Sequence, residues 1–66
     1  MDLFIFVIDG VAYKIQKKSD KFWLLRWIHH CKKFVYESEI TYNDVSKYKK
    51  YKLDKKFYPM YEENID

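Results

Sequence analysis

The chain has 66 residues, with 13 basic and 10 acidic side chains, a formal net charge of +3 and one cysteine. This length predicts a single domain, and one cysteine excludes an intramolecular disulfide, which favours a reducing, cytoplasmic setting. Arg26 is the only arginine among the basic residues, so we do not expect sequence-specific reading of duplex bases, for which arginine is preferred.

The first predicted element is a β-hairpin over residues 3–16, LFIFVIDGVAYKIQ. Asp9-Gly10 between two apolar runs is a strong signal for a two-residue type I′ turn. Such a turn fixes the cross-strand pairs and places them on one apolar face, which we expect to be the core side. The predicted pairs are Ile8 with Val11, Phe6 with Tyr13, and Phe4 with Ile15.

The other face of the first strand presents Leu3, Ile5 and Val7. These aliphatic side chains are either covered by a later segment or exposed for a partner. The open edge or face of the hairpin would also allow a partner strand or a second copy of the chain to dock. The apolar run of residues 3–8 is too short to cross a membrane and follows the acidic Asp2. We therefore expect no membrane span and no signal peptide.

The second predicted element is an amphipathic helix within residues 17–38, with Ser19 or Asp20 as its N-cap. Apolar residues at three- and four-residue spacing form a stripe that would lie across the hairpin: Leu24, Trp27, Ile28, Cys31, Phe34 and Val35. The expected fold class is therefore α+β, a small single domain with an N-terminal β-hairpin packed on one amphipathic helix (ββα).

The pattern of residues 37–58 is compatible with a third strand followed by a short second helix. The strand would cover ESEITYND with Ile40 and Tyr42 inward, and Asn43 or Asp44 would cap a helix that starts at Val45. Pro59 would end whatever precedes it. We expect residues 1–58 to form the domain and residues 59–66 to be an acidic, mobile tail.

No catalytic or metal-binding arrangement is indicated. One glycine excludes a glycine-rich phosphate loop. His29, His30 and Cys31 are consecutive, so their side chains diverge and cannot close a zinc tetrahedron, and Cys31 is expected to be a small buried hydrophobe. A core of this size also leaves little volume for a substrate cleft of about 300 Å³. We expect neither an enzyme nor a cofactor.

The composition favours a binding protein, because aromatic residues make up 21% of the chain and so small an interior cannot enclose them all. The first hypothesis is a non-enzymatic module that docks on a larger protein partner and modulates or inhibits it. The bias towards lysine, tyrosine and isoleucine is typical of AT-rich coding sequences, such as those of phages. The expected contact residues are Trp23, Tyr48, Tyr51, Phe57 and Tyr58, with a second patch of Leu3, Ile5 and Val7.

The stretch SKYKKYKLDKKFY at residues 46–58 supports an alternative, a nucleic-acid-binding protein. Lysines neutralise phosphates and interleaved rings stack on unpaired bases, a combination suited to single strands or RNA. The surface would include this stretch and the outer side of the predicted helix: Arg26, Lys32, Lys33, Lys47, Lys49, Lys50 and Lys52. A simpler interpretation is that these lysines only keep an aromatic-rich chain in solution.

Overall fold

The computed structural model describes residues 1–62 and shows a four-stranded antiparallel sheet, so the expected ββα arrangement is wrong. The strands are neighbours in chain order: β1 (Asp2–Ile8), β2 (Val11–Lys18), β3 (Lys21–Ile28) and β4 (Lys33–Ile40). The chain then forms helix α1 (Tyr42–Tyr48) and two 3₁₀ helices, Lys49–Tyr51 and Lys55–Tyr61.

The N-terminal hairpin is confirmed together with its register. Asp9 and Gly10 adopt φ values of 51° and 76°, the left-handed backbone that a type I′ turn requires at both central positions. The predicted pairs from Ile8 with Val11 to Phe4 with Ile15 are observed, but the expected pairing of Leu3 with Gln16 is wrong. Gln16 pairs with Asp2, so the register shifts at Leu3. Local turn chemistry is therefore sufficient to define β1 and β2.

The predicted amphipathic helix is wrong, because its residues form a second turn and two strands. Ser19 and Asp20, expected to cap the helix, connect β2 to β3, and Ser19 has a φ of 59°. Strand β3 is covered on both faces: Leu24 belongs to one buried cluster and its neighbour Leu25 to the other. A strand buried on both sides is a continuous apolar run, which spacing alone does not distinguish from a helix.

Two thin cores lie on opposite sides of the sheet. On the first side, here called the helix face, Phe6 and Ile15 are almost fully enclosed and pack with Val45 of α1. On the other side, here called the opposite face, Ile5, Leu25 and Phe34 form the buried cluster. Three residues from the C-terminal part of the chain pack against this second cluster: Leu53, Tyr58 and Tyr61.

The short second helix is present, although it begins at Tyr42 instead of Val45. Thr41 is the N-cap, not Asn43 or Asp44: its hydroxyl accepts a hydrogen bond from the Asp44 amide, and the Asp44 carboxylate accepts one from the Thr41 amide. This reciprocal pair is a capping box. Tyr42, expected to point inward from a third strand, is exposed at the start of α1.

The last described residues lie against the sheet. The second 3₁₀ helix continues through Pro59 to Tyr61, whose ring centroid is 5.4 Å from that of Trp27. Of the acidic tail expected over residues 59–66, residues 63–66 lie outside the described part of the chain. In residues 1–62 no helix has the length and apolar character needed to span a membrane.

Candidate binding surfaces

The outer edge of β1 is covered by the chain itself. The Leu53 amide donates a hydrogen bond to the Ile5 carbonyl at 2.9 Å, and the Ile5 amide donates one to the Tyr58 hydroxyl at 3.2 Å. Lys52 forms an isolated antiparallel bridge with Phe6. Both backbone polar groups of Ile5 are therefore occupied, and the hairpin edge expected to be available to a partner or a second copy is closed at this point.

The aliphatic patch predicted on β1 is mostly core. Ile5 is only 6% exposed, because Leu53 and Tyr58 pack on the same side of the sheet. Leu3 and Val7 are half-buried, and Leu3 packs against the helix-face cluster, not beside Ile5 as predicted, because the register shifts between Asp2 and Phe4. At Ile5 the later segment covers the strand, one of the two outcomes that the sequence allows, and this central residue offers no surface to a partner.

Among the predicted aromatic contact residues, Tyr48 and Tyr58 support the cores. Tyr48 is half-buried and stacks on Phe6 with ring centroids 4.5 Å apart. Tyr58 is half-buried as well, and its hydroxyl accepts a hydrogen bond from the Ile5 amide. Their rings contribute chiefly to the packing that closes the β1 side.

The outer edge of β4 is open, since within residues 1–62 no strand pairs with it. Val35 and Tyr36, in the middle of this strand, are 43% and 52% exposed. The half-buried Trp23 of β3 lies beside Tyr36, with centroids 5.0 Å apart in an edge-on arrangement. Trp23, Val35, Tyr36 and the open edge of Lys33–Ile40 are called the β4 surface below.

A bulge and several charges modify this open edge. Leu24 pairs with Ser38 and Leu25 with Tyr36, so Glu37 is an extra residue in β4. The strand also bears Lys33 and Glu39, and Glu39 forms an exposed ion pair with Lys21 at 3.7 Å. Bulges and charged side chains on edge strands protect against indiscriminate strand pairing. The β4 surface therefore has apolar side chains at its centre, with charged side chains and a bulge around them.

A third exposed region is the lysine segment, residues 47–56, which contains six lysines and one acid, Asp54. The Asp54 carboxylate accepts a hydrogen bond from the Lys56 amide and caps the second 3₁₀ helix. No lysine of this segment forms an ion pair within the described residues. Tyr51, inside the segment, and Phe57, which follows it, are 41% and 42% exposed.

The predicted nucleic-acid surface is not continuous in the fold. Lys47, Lys49, Lys50 and Lys52 follow one another on α1 and the turns after it. Lys33 is on β4, three strand spacings or roughly 14 Å from the β1 edge. The remaining two predicted residues are also elsewhere: Arg26 on β3, and Lys32 in the loop between β3 and β4.

Two observations concern catalytic and metal-binding residues. The His30 Nε2 and Cys31 Sγ atoms are 3.3 Å apart on an exposed loop, so the expectation that Cys31 is buried is wrong. In the described part of the chain, no three His, Cys, Asp or Glu side chains converge as metal ligands would. The assignment as a non-enzyme stays a prediction.

A groove of about 690 Å³ lies on the opposite face between β1 and the second 3₁₀ helix. The expectation that so small a chain lacks the volume for a cleft is therefore wrong. Ile5 and Phe34 contribute apolar lining, and Lys14 pairs with Asp2 at 3.4 Å at its side. Its lining includes no Cys, His or Ser side chain.

Comparisons with known proteins returned no match: no family model, no curated protein and no solved structure is similar to this chain.

Two candidate contact residues, Val35 and Tyr36, were not predicted from the sequence. The available signal is the segment KFVYESEI, in which β-branched and aromatic residues are followed by alternating charges, a pattern typical of an exposed edge strand. Lys55 and Lys56 were omitted from the predicted nucleic-acid residues although they belong to the same lysine-rich stretch. Trp23 was predicted, and the structure places it beside Tyr36.

Proposed function

We propose that this protein is a non-enzymatic binding module that docks on a larger protein partner through the β4 surface and modulates that partner. The observation that supports it is that no strand of residues 1–62 pairs with the outer edge of β4, on which Val35 and Tyr36 are exposed. An edge strand offers a row of free amide and carbonyl groups, to which an extended segment of a partner can add as a further strand.

The side chains around the edge provide the contact area. Tyr36 and Trp23 lie on the opposite face and Val35 on the helix face, because successive residues of a strand alternate between faces. Tyrosine and tryptophan are enriched at interfaces and dominate their binding energy. A partner strand beside β4 would therefore meet an aromatic pair on one face and an aliphatic side chain on the other.

The test is partner binding by a Val35→Ala/Tyr36→Ala variant. The control variant is Tyr42→Ala/Met60→Ala, which removes two side chains that are 64% and 68% exposed and lie outside the β4 surface. The partner would first be purified from the source cells by affinity capture with nuclease treatment. Calorimetry would then measure its Kd for the unmodified protein, the β4 variant and the control variant. We expect the β4 variant to bind at least about 30-fold more weakly, the loss typical of an interface hot spot, and the control to bind normally.

Two results would refute the proposal. One is an equal affinity of the β4 variant and the control for the purified partner, which would place the interface elsewhere. The other is a partner that is recovered only when nuclease treatment is omitted, which would make the association dependent on nucleic acid. Circular dichroism of both variants would establish that each is folded.

A further inference from the structure

The net positive charge of the described chain is concentrated in the lysine segment. Residues 47–56 contain six lysines and one aspartate, which is five net positive charges. The rest of residues 1–62 contains seven basic and seven acidic side chains and is therefore neutral. A general need for solubility does not explain this uneven distribution, because charges of both signs spread over a surface serve that purpose.

The path of the segment places these charges around one edge of the molecule. It begins on α1, which packs on the helix face, and crosses the edge of β1 at Lys52, the residue bridged to Phe6. It then enters the second 3₁₀ helix, whose Tyr58 packs on the opposite face. The backbone contacts at Lys52 and Leu53 fix the middle of this path to the sheet.

Two exposed rings accompany the lysines: Tyr51 within the segment and Phe57 directly after it. The Lys50 ammonium group is 5.1 Å from the ring centroid of Tyr51, and that of Lys56 is 5.1 Å from the centroid of Phe57. Each ring is about two-fifths exposed and has a cation next to it. A ligand with alternating anionic and flat aromatic groups would meet both kinds of contact at each of these positions.

We infer that the lysine segment is a second binding surface, separate from the β4 surface, for single-stranded nucleic acid. Phosphates are neutralised by the lysines, and unpaired bases stack on Tyr51 and Phe57. Single strands fit better than duplexes because the segment has no arginine for reading base edges, and bases within a duplex do not present their faces to the rings.

The first test is fluorescence anisotropy of a labelled oligouridine 15-mer at several salt concentrations. Each phosphate contact in a single strand contributes about −0.7 to the slope of log K against log salt, so six lysines give a slope of at most about −4. For Lys49→Gln/Lys50→Gln/Lys52→Gln we expect the slope to become shallower by about 2. The control Lys17→Gln/Lys18→Gln/Lys32→Gln removes the same charge from exposed lysines outside both proposed surfaces, and its slope should be unchanged.

The second test concerns the rings. Tyr51→Ala and Phe57→Ala should each weaken oligouridine binding by about 5- to 150-fold, the effect of losing one stacked base. Tyr42→Ala is the matched control, since Tyr42 is 64% exposed but lies outside the segment, and it should bind like the unmodified protein. The Val35→Ala/Tyr36→Ala variant should also bind normally, so this inference and the proposed function can fail independently.

Several results would overturn the inference. If the protein did not bind oligouridine at low salt, the lysine segment would not be a surface for single-stranded nucleic acid. An equal change of slope in the two triple-lysine variants would make overall charge, not the segment, responsible. The segment would be a general polyanion-binding surface instead if two results were found together. Heparin, anionic vesicles or duplex DNA would bind as tightly as the single strand, and the ring substitutions would have no effect.

Discussion

β1 and β4 are the two edge strands of one sheet, but within residues 1–62 only β1 has its outer side covered by another part of the chain. The difference follows the composition of the strands. β1 has six consecutive apolar residues after Asp2, with a register shift only at its start, whereas β4 contains one lysine, two glutamates and a bulge at Glu37 in its interior. A bare, strongly apolar edge promotes aggregation, whereas charges and a bulge make an open edge tolerable. The more apolar edge, that of β1, is therefore the covered one, and the edge of β4 has no strand beside it in the described part of the chain.

The largest expected difference between the two edges is in stability. Phe6 of β1 is 1% exposed and stacks on both Tyr13 and Tyr48, so Phe6→Ala should lower the free energy of unfolding by about 3–5 kcal/mol. Tyr36→Ala on β4 removes a half-exposed ring and should cost about 1 kcal/mol. Urea denaturation followed by tryptophan fluorescence measures both.

A chain of this length is expected to have a total stability of only about 3–10 kcal/mol, so Phe6→Ala can leave little folded protein. Phe6→Leu, a smaller truncation at the same position, keeps the comparison measurable. Equal losses for the β1 and β4 substitutions would contradict the assignment of one covered and one open edge.

A smaller effect is expected from the hydrogen bond that closes the β1 edge. Tyr58→Phe leaves the part-buried Ile5 amide without its acceptor and should cost about 1–3 kcal/mol. It should also accelerate hydrogen exchange at that amide, which NMR can follow. Tyr61→Phe removes a hydroxyl that has no hydrogen bond within residues 1–62, and it should be nearly neutral. If both substitutions gave the same exchange rate at Ile5, Tyr58 would not close the edge.

The smallest effect concerns the connection between the two edges. Thr41 caps α1 just after β4 ends, and α1 places Tyr48 on Phe6 of the β1 side. Thr41→Ala should cost about 1 kcal/mol through the lost cap, while Thr41→Ser retains the hydroxyl and should be close to the unmodified protein. Thermal unfolding of the two variants distinguishes the cap from the packing of the threonine methyl group, which both substitutions remove.

Part of the candidate sites was accessible from the sequence. The lysine-rich stretch and two exposed rings, Tyr51 and Phe57, were named from the sequence, and Trp23 was named among the expected contact residues. Val35 and Tyr36 were assigned to a helix, and Ile5 was named as an expected contact residue although it is buried. The difficulty is physical: whether an apolar side chain is exposed depends on which distant segment covers it, and residues 53–61 cover β1 from the far end of the chain.

The sequence by itself determined the features that depend on a few neighbouring residues. Asp9-Gly10 defines the first hairpin and its register, and Thr41 with Asp44 supplies a complete capping box for α1. Only the tertiary structure decided that residues 21–40 are strands, which edge is open, and which rings are exposed. A turn or a cap is stabilised by contacts within its own segment. The apolar run of β3 satisfies helical spacing equally well, and it becomes a strand because both of its faces are buried by other segments.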